Sequence, residues 1–126
     1  MHIDFTIPGK PQPKQRPRVT KRGITYTPKE TKDYEIFVQR CYQDQIGRKV
    51  VEGPLKIILV FWLPKPKKPK YPMPAVKPDL DNLMKSITDA LNGVAYDDDS
   101  QIVEARILKL YTPTEGYVSV TIEEVR

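Results

Sequence analysis

Polar and apolar residues alternate from His2 to Ile7, with Ile3, Phe5 and Ile7 on one side, until Pro8-Gly9 breaks the run. A period of two with a single apolar face predicts a half-buried strand. The following stretch, KPQPKQRPRVTKRG, is rich in proline and base and has no apolar period. It is predicted to be a loop outside the core, with a short ribbon at residues 18–26. Thr27-Pro28-Lys29-Glu30 fits a capping box with proline at the first helical position. Tyr34, Phe37, Val38, Cys41, Tyr42 and Ile46 then follow at helical spacing as far as Gly47, a C-terminal cap.

Residues 55–63, LKIILVFWL, form a short apolar run bounded by Gly53-Pro54 and Pro64, which predicts a central strand. Residues 64–78 contain six prolines in fifteen positions and read as extended, polyproline-like chain. From Leu80, apolar residues recur at 83, 84, 87 and 91, and Asn92-Gly93 closes this second helix. Residues 101–111 and 117–125 read as two more strands, with 112–116 as their hairpin loop. The order β-α-β-α-β-β predicts a single α/β (α+β) domain over residues 1–126, with a mixed sheet and two main helices. No internal repeat is present.

A chain of 126 residues buries enough surface for a core without staples, and its one cysteine, Cys41, rules out a disulfide framework or a multi-cysteine zinc site. The N-terminus has no basic, then apolar, leader, and the longest apolar run is too short to cross a bilayer, so a cytoplasmic protein without membrane contact is expected. The formal charge of +5 hides a segregation. Residues 10–22 hold six bases and no acid: Lys10, Lys14, Arg16, Arg18, Lys21 and Arg22. Residues 64–78 hold five lysines and no acid: Lys65, Lys67, Lys68, Lys70 and Lys77. Residues 79–99 carry six aspartates against Lys85. Each tract alone reads as a solvated loop; together they fit a protein that grips a polyanion and holds a cation beside it.

Asp79 and Asp81 stand two apart, a spacing that converges only where the chain is extended, so the pair belongs at a helix entrance. Asp79 as N-cap and Asp81 as a complement to the helix dipole is the plain structural reading, and it leaves carboxylate oxygens free for a metal. Asp97-Asp98-Asp99 precedes a strand and reads either as a solvated turn or as a source of one or two further ligands. Carboxylates without Cys or His specify a hard ion, Mg²⁺ or, as a substitute, Mn²⁺, and the lone His2 reads as a surface residue. Lys85 lies one turn beyond Asp81, either as an exposed pair with it or as a cation aimed back at the acids. On a wheel centred on Leu80, Met84, Ile87 and Leu91, Asp81 and Lys85 lie roughly 90° and 130° from the centre on one flank, and Asp89 turns away. A lysine beside a carboxylate-held metal suits phosphodiester cleavage.

The run KPDLDNLMKSITDALNGVAYDDDSQIVEAR, residues 77–106, resembles the signature of the RusA family of Holliday junction resolvases, metal-dependent endonucleases of bacteria and their prophages. Its marks are D-L-D-N-L-x-K, D-A-L and D-D-x-Q-I, and the segment IPGKPQPKQRPRVTKRGITYTPKETKDYE resembles longer-armed members. The resemblance implies catalytic metal ligands at Asp79, Asp81 and Asp99, an essential Lys85, a supporting Asp98, and a homodimer. Asp97 adds a third acid where the family pattern carries two. The expected function is therefore a Mg²⁺-dependent endonuclease that resolves four-way junctions by paired nicks in recombination and repair, with no small-molecule cofactor. The alternatives are a metal-dependent nuclease of other branched or duplex DNA and a catalytically silent DNA-binding module.

Overall fold

The computed structural model describes every residue from Met1 to Arg126. Along the chain come β1 (His2–Pro8), a ribbon of β2 (Arg18–Val19) and β3 (Thr25–Tyr26), α1 (Lys29–Gln45), β4 (Leu55–Pro64), α2 (Leu80–Leu91), a 3-10 turn (Asp99–Gln101), β5 (Ile102–Thr112) and β6 (Tyr117–Glu124). The four long strands form one mixed sheet in the order β1-β6-β4-β5, with β4 and β5 parallel and the other pairs antiparallel. This is the mixed α+β domain that the periodicity predicts.

Alternation builds the core. Ile3, Phe5 and Ile7 of β1, Leu55, Ile57, Leu59 and Phe61 of β4, and Val118, Val120 and Ile122 of β6 are buried on one face. Val38, Cys41 and Tyr42 of α1 and Leu83, Ile87, Ala90 and Leu91 of α2 complete the same cluster. Each large side chain taken from water this way contributes about 1.5–3 kcal/mol. β4 is interior to the sheet, but only one of its faces is covered: Ile58, Val60 and Trp62 point to the other side and stay half-buried. At the β1 edge, the Gln45 side chain accepts from the Thr6 N–H at 3.0 Å and donates to the Thr6 carbonyl at 2.7 Å, closing that edge as a strand would.

Several expectations need correction. Residues 112–116 are not a hairpin loop, because β4 lies between β5 and β6. The apolar β4 requires ladder partners on both edges, and the link need only step across one strand, roughly 10 Å. Gly116 makes the crossing possible: its φ is +102°, and a Cβ there would stand 2.6 Å from the Trp62 carbonyl oxygen. The capping box at Thr27 does not form; Pro28 is the N-cap of α1 and no side chain caps it. Phe37 is largely exposed, the buried stripe of α1 being Thr31, Val38, Cys41 and Tyr42. The first basic tract is not wholly outside the core. Pro11 is buried, and the Lys14 N–H donates to the Asn82 carbonyl at 2.8 Å, pinning the arm against α2.

The buried face of α2 is also rotated from its expected centre. Leu80 is 38% exposed, whereas Ser86 and Thr88 are buried beside Leu83 and Ile87. Both hydroxyls are satisfied within the helix, Ser86 donating to Leu83 O at 2.7 Å and Thr88 to Met84 O at 3.2 Å, so they bury at little cost.

Candidate active site

The entrance of α2 is built from the loop that precedes it. Asp79 is the N-cap residue, with φ −73° and ψ 150°, yet its side chain makes no cap hydrogen bond. Its carboxylate is exposed and unspent. The loop is held from β5, where the Lys109 ammonium donates to the Val76 carbonyl at 2.8 Å and the Pro78 carbonyl at 3.0 Å.

Just inside the helix, Asp81 and Lys85 border a cleft of about 470 Å³ between α2 and β5, and Asp99 enters the same cleft from the first position of the 3-10 turn. Met84, Ile102, Val103 and Ala105 give it an apolar floor. Asp81 and Lys85 form no ion pair with one another. Asp89, expected to turn away, lines the cleft as well, because it stands one turn beyond Lys85 on the same flank of α2. Glu104 also borders it, but its carboxylate reaches Lys56 at 3.1 Å on the opposite face of the sheet.

The aspartate triplet is sorted by its hydrogen bonds. The Gln101 side-chain oxygen accepts from the N–H groups of Asp97 and Asp98 at 2.9 and 3.0 Å, and its nitrogen donates to the carbonyls of Val51 and Gly53, both at 3.0 Å. Asp98 caps the turn by accepting from the Ser100 N–H at 3.0 Å, and these bonds hold its carboxyl below the ordinary value. Asp97 and Asp98 do not line the cleft; Asp99 does. Tyr96, buried just before the triplet, donates its hydroxyl to the Thr88 carbonyl at 2.7 Å and ties this segment to α2. Burial, with the charges of Asp99, Asp89 and Asp98, raises its pKa strongly.

No three acidic, His or Cys side chains converge closely enough to hold an ion unaided. The donor chemistry nonetheless fits Mg²⁺, which typically takes one or two carboxylates and completes its shell with water and substrate phosphate. Asp81 and Asp99 supply two from one cleft, with no Cys or His beside them.

Of the basic residues, Arg16, Arg18, Lys21, Arg22, Lys65, Lys67, Lys68 and Lys70 are exposed. Lys10 and Lys77, one from each tract, face a common small cleft, so the tracts meet there. Lys14 differs. Its ammonium lies 2.8 Å from Glu35 and 3.0 Å from Asp89, and is committed inside the molecule. Partial burial pushes its pKa down, but the bonds and charges of those two carboxylates outweigh that and raise it overall.

Residues 8–123 match the family described as Endodeoxyribonuclease RusA. The chain belongs to the RusA family. It is thus a nuclease by family, and the match takes in both basic tracts, the α2 entrance and the aspartate triplet. It is also similar to YqaN of Bacillus subtilis (strain 168), an uncharacterized protein, at 33% identity over 138 aligned positions, covering 98% of this chain and 96% of that protein. No helix of this RusA-family chain is long and apolar enough to cross a membrane.

Sequence reading missed three supports of the site: Lys109, the Lys14–Asp89 pair, and the fourfold bonding of Gln101. Lys109 offers no local signal, since it lies 31 residues beyond Pro78, whose carbonyl it holds. Gln101 had one, a glutamine three residues after an aspartate, which is the capping-box spacing.

Proposed function

We propose that this RusA-family nuclease is a Mg²⁺-dependent, structure-selective endonuclease that resolves four-way DNA junctions by paired nicks, in recombination and repair. The observation that carries this reading is the meeting of Asp81, Lys85 and Asp99 around one cleft, with the exposed Arg16 of the first basic tract beside Asp81 and Lys85. Asp81 and Asp99 hold the metal, Asp79 completes the set from the helix entrance, and Asp98 supports the turn that presents Asp99. When bound, Mg²⁺ supplies charge stabilisation and an acidified water. Lys85 stabilises the charge that builds on the phosphate oxygens in the transition state. Lys10, Arg16, Arg18, Lys21, Arg22 and the lysines of residues 65–77 grip neighbouring phosphates, a term that carries affinity but not sequence preference.

A four-way junction has two equivalent strands, whereas one chain offers one such cleft. Two symmetric nicks therefore call for a homodimer with a two-fold axis. The protein acts where the DNA is, inside the cell.

The test incubates purified protein with a synthetic four-way junction, a matched duplex and a flap, with Mg²⁺, Mn²⁺ or EDTA. Symmetric cutting of the junction alone, lost in EDTA, is expected. Equal cutting of the flap would make the protein a broader branch nuclease, and junction binding without cutting at any metal concentration would make it a silent binding module.

A further inference from the structure

On the other side of the Asp81–Lys85 ridge lies a second cleft of about 370 Å³, walled mostly by polar and charged residues. Asn82, Lys85 and Asp81 form its helical side; Lys14, Gln15, Arg16 and Pro17 of the basic arm form the other, with the Lys14 ammonium already taken by two carboxylates. The arm is not loosely laid there. The Lys14 N–H donates to Asn82 O at 2.8 Å, the Gln15 N–H donates to the Thr31 hydroxyl at 3.2 Å, and the Lys14 ammonium bridges Glu35 of α1 and Asp89 of α2. The Gln15 side-chain oxygen is buried without a protein partner. A lysine this tightly bonded to two carboxylates has lost most of its reach towards a phosphate, whereas Arg16, the next base along, is exposed and joins Lys85 at the cleft.

We propose that this polar cleft is a phosphate subsite beside the active site, with Arg16 and Lys85 as its cationic walls. Lys14, Glu35 and Asp89 are positioning residues that fix the arm and do not touch DNA. The inference rests on the nuclease reading above, and it divides the first basic tract: Arg16 grips, Lys14 builds. Guanidinium suits the role, since its planar fork matches two phosphate oxygens.

The positioning claim makes a prediction of opposite sign to simple electrostatics. Asp89→Asn and Glu35→Gln each remove a negative charge near DNA, so through-space repulsion alone predicts tighter binding. Release of the arm predicts weaker binding. Affinity is read by titrating a fluorescent four-way junction in EDTA across salt concentrations, with folding checked by thermal melting. Arg16→Ala is expected to weaken binding several-fold and flatten the log K against log salt slope by about 0.9, one phosphate contact. Asp89→Asn and Lys14→Met should each reproduce that loss, add little to Arg16→Ala, and be rescued in Lys14→Arg, which still spans both carboxylates. Tighter binding in folded Asp89→Asn, or a further slope loss when Lys14→Met is added to Arg16→Ala, would overturn the inference while leaving the nuclease reading intact. Conversely, a wild-type protein that shows this binding pattern but cuts no junction in Mg²⁺ would overturn that reading and not the subsite.

Discussion

The Lys109 ammonium, on β5, donates to the carbonyl of Pro78 at 3.0 Å, one residue before Asp79. A second bond, to Val76 at 2.8 Å, makes the attachment two-point. The edge strand of the sheet thereby fixes where the acidic entrance of α2 begins. Lys109→Met keeps the apolar stem and removes both charge-assisted bonds, and is expected to cost about 1–3 kcal/mol in urea unfolding. Cleavage should fall by a larger factor than junction affinity, because Asp79 and Asp81 are displaced while the basic tracts remain. Equal losses in single-turnover cutting and in binding would show that Lys109 supports the fold and no more.

The acids Asp81, Asp98 and Asp99 should separate into two kinds. Asp81→Asn and Asp99→Asn remove the charges that face the cleft, so both should abolish Mg²⁺-dependent cutting and leave junction binding unchanged or tighter. Asp98 spends its carboxylate on the Ser100 N–H, and asparagine caps as well as aspartate. Asp98→Asn should therefore cut nearly normally, and Asp98→Ala, which loses the cap, less well. Cutting retained in Asp81→Asn would remove the cleft from the mechanism.

The elements themselves were legible because each carries its own period: Ile3, Phe5 and Ile7 announce β1, and Val118, Val120 and Ile122 announce β6. What was not legible is long-range. Nothing between Tyr111 and Tyr117 says that β4 stands between the last two strands. Burial of Ser86 and Thr88 is not legible from an apolar wheel, because the helix satisfies their hydroxyls internally. Asp89 lies one turn beyond Lys85 and lines the same cleft, which a wheel centred on the core does not reveal. Charge tracts had the same blind spot, since Lys14 sits among exposed bases but its partners are Glu35 and Asp89.

His2 is the only histidine, so its ring protons can be followed alone by NMR. Its hydrogen bond and charge interaction with Asp4, helped by Glu123, raise its pKa above 6.5, and the Asp4 carboxyl is lowered below 3.8 by its bonds to Thr121 and His2. A raised histidine stabilises below its unfolded pKa and loses that contribution as pH climbs through its folded value. A lowered aspartate stabilises above its unfolded pKa and loses that contribution as pH falls through its folded value. The pair should thus contribute most between pH 3.8 and 6.5. Asp4→Asn should return the His2 midpoint towards 6.5, and an unchanged midpoint would break the pairing.

Lys65, Lys67, Lys68 and Lys70 are all exposed, and only Lys70 has a close partner, the face of Tyr71 at 5.6 Å from its ring centre. Neutralising Lys67 and Lys68 together should flatten the salt slope of junction binding by roughly two, at about 0.9 per phosphate. Single-turnover cutting at saturating protein should barely change. A slope equal to wild type would take this tract out of the interface.

The face of the sheet turned away from the helices carries Ile58, Val60 and Trp62 of β4 and Leu108 and Leu110 of β5, all half-buried. Trp62 stacks on Tyr117 of β6 with ring centres 5.7 Å apart and planes 21° from parallel. No helix covers these side chains, and under the junction-resolving reading proposed above a contiguous apolar patch of this kind suits a second copy of the chain, placed isologously. Sedimentation at micromolar concentration should give about twice 14.5 kDa. Trp62→Glu sets a charge at the middle of that face without touching the buried one, so it should yield a folded monomer that nicks a junction without resolving it. A dimer that survives Trp62→Glu would move the interface elsewhere, and the exposed outer edge of β5 would then be the surface to probe, since β1 already has its edge closed by Gln45.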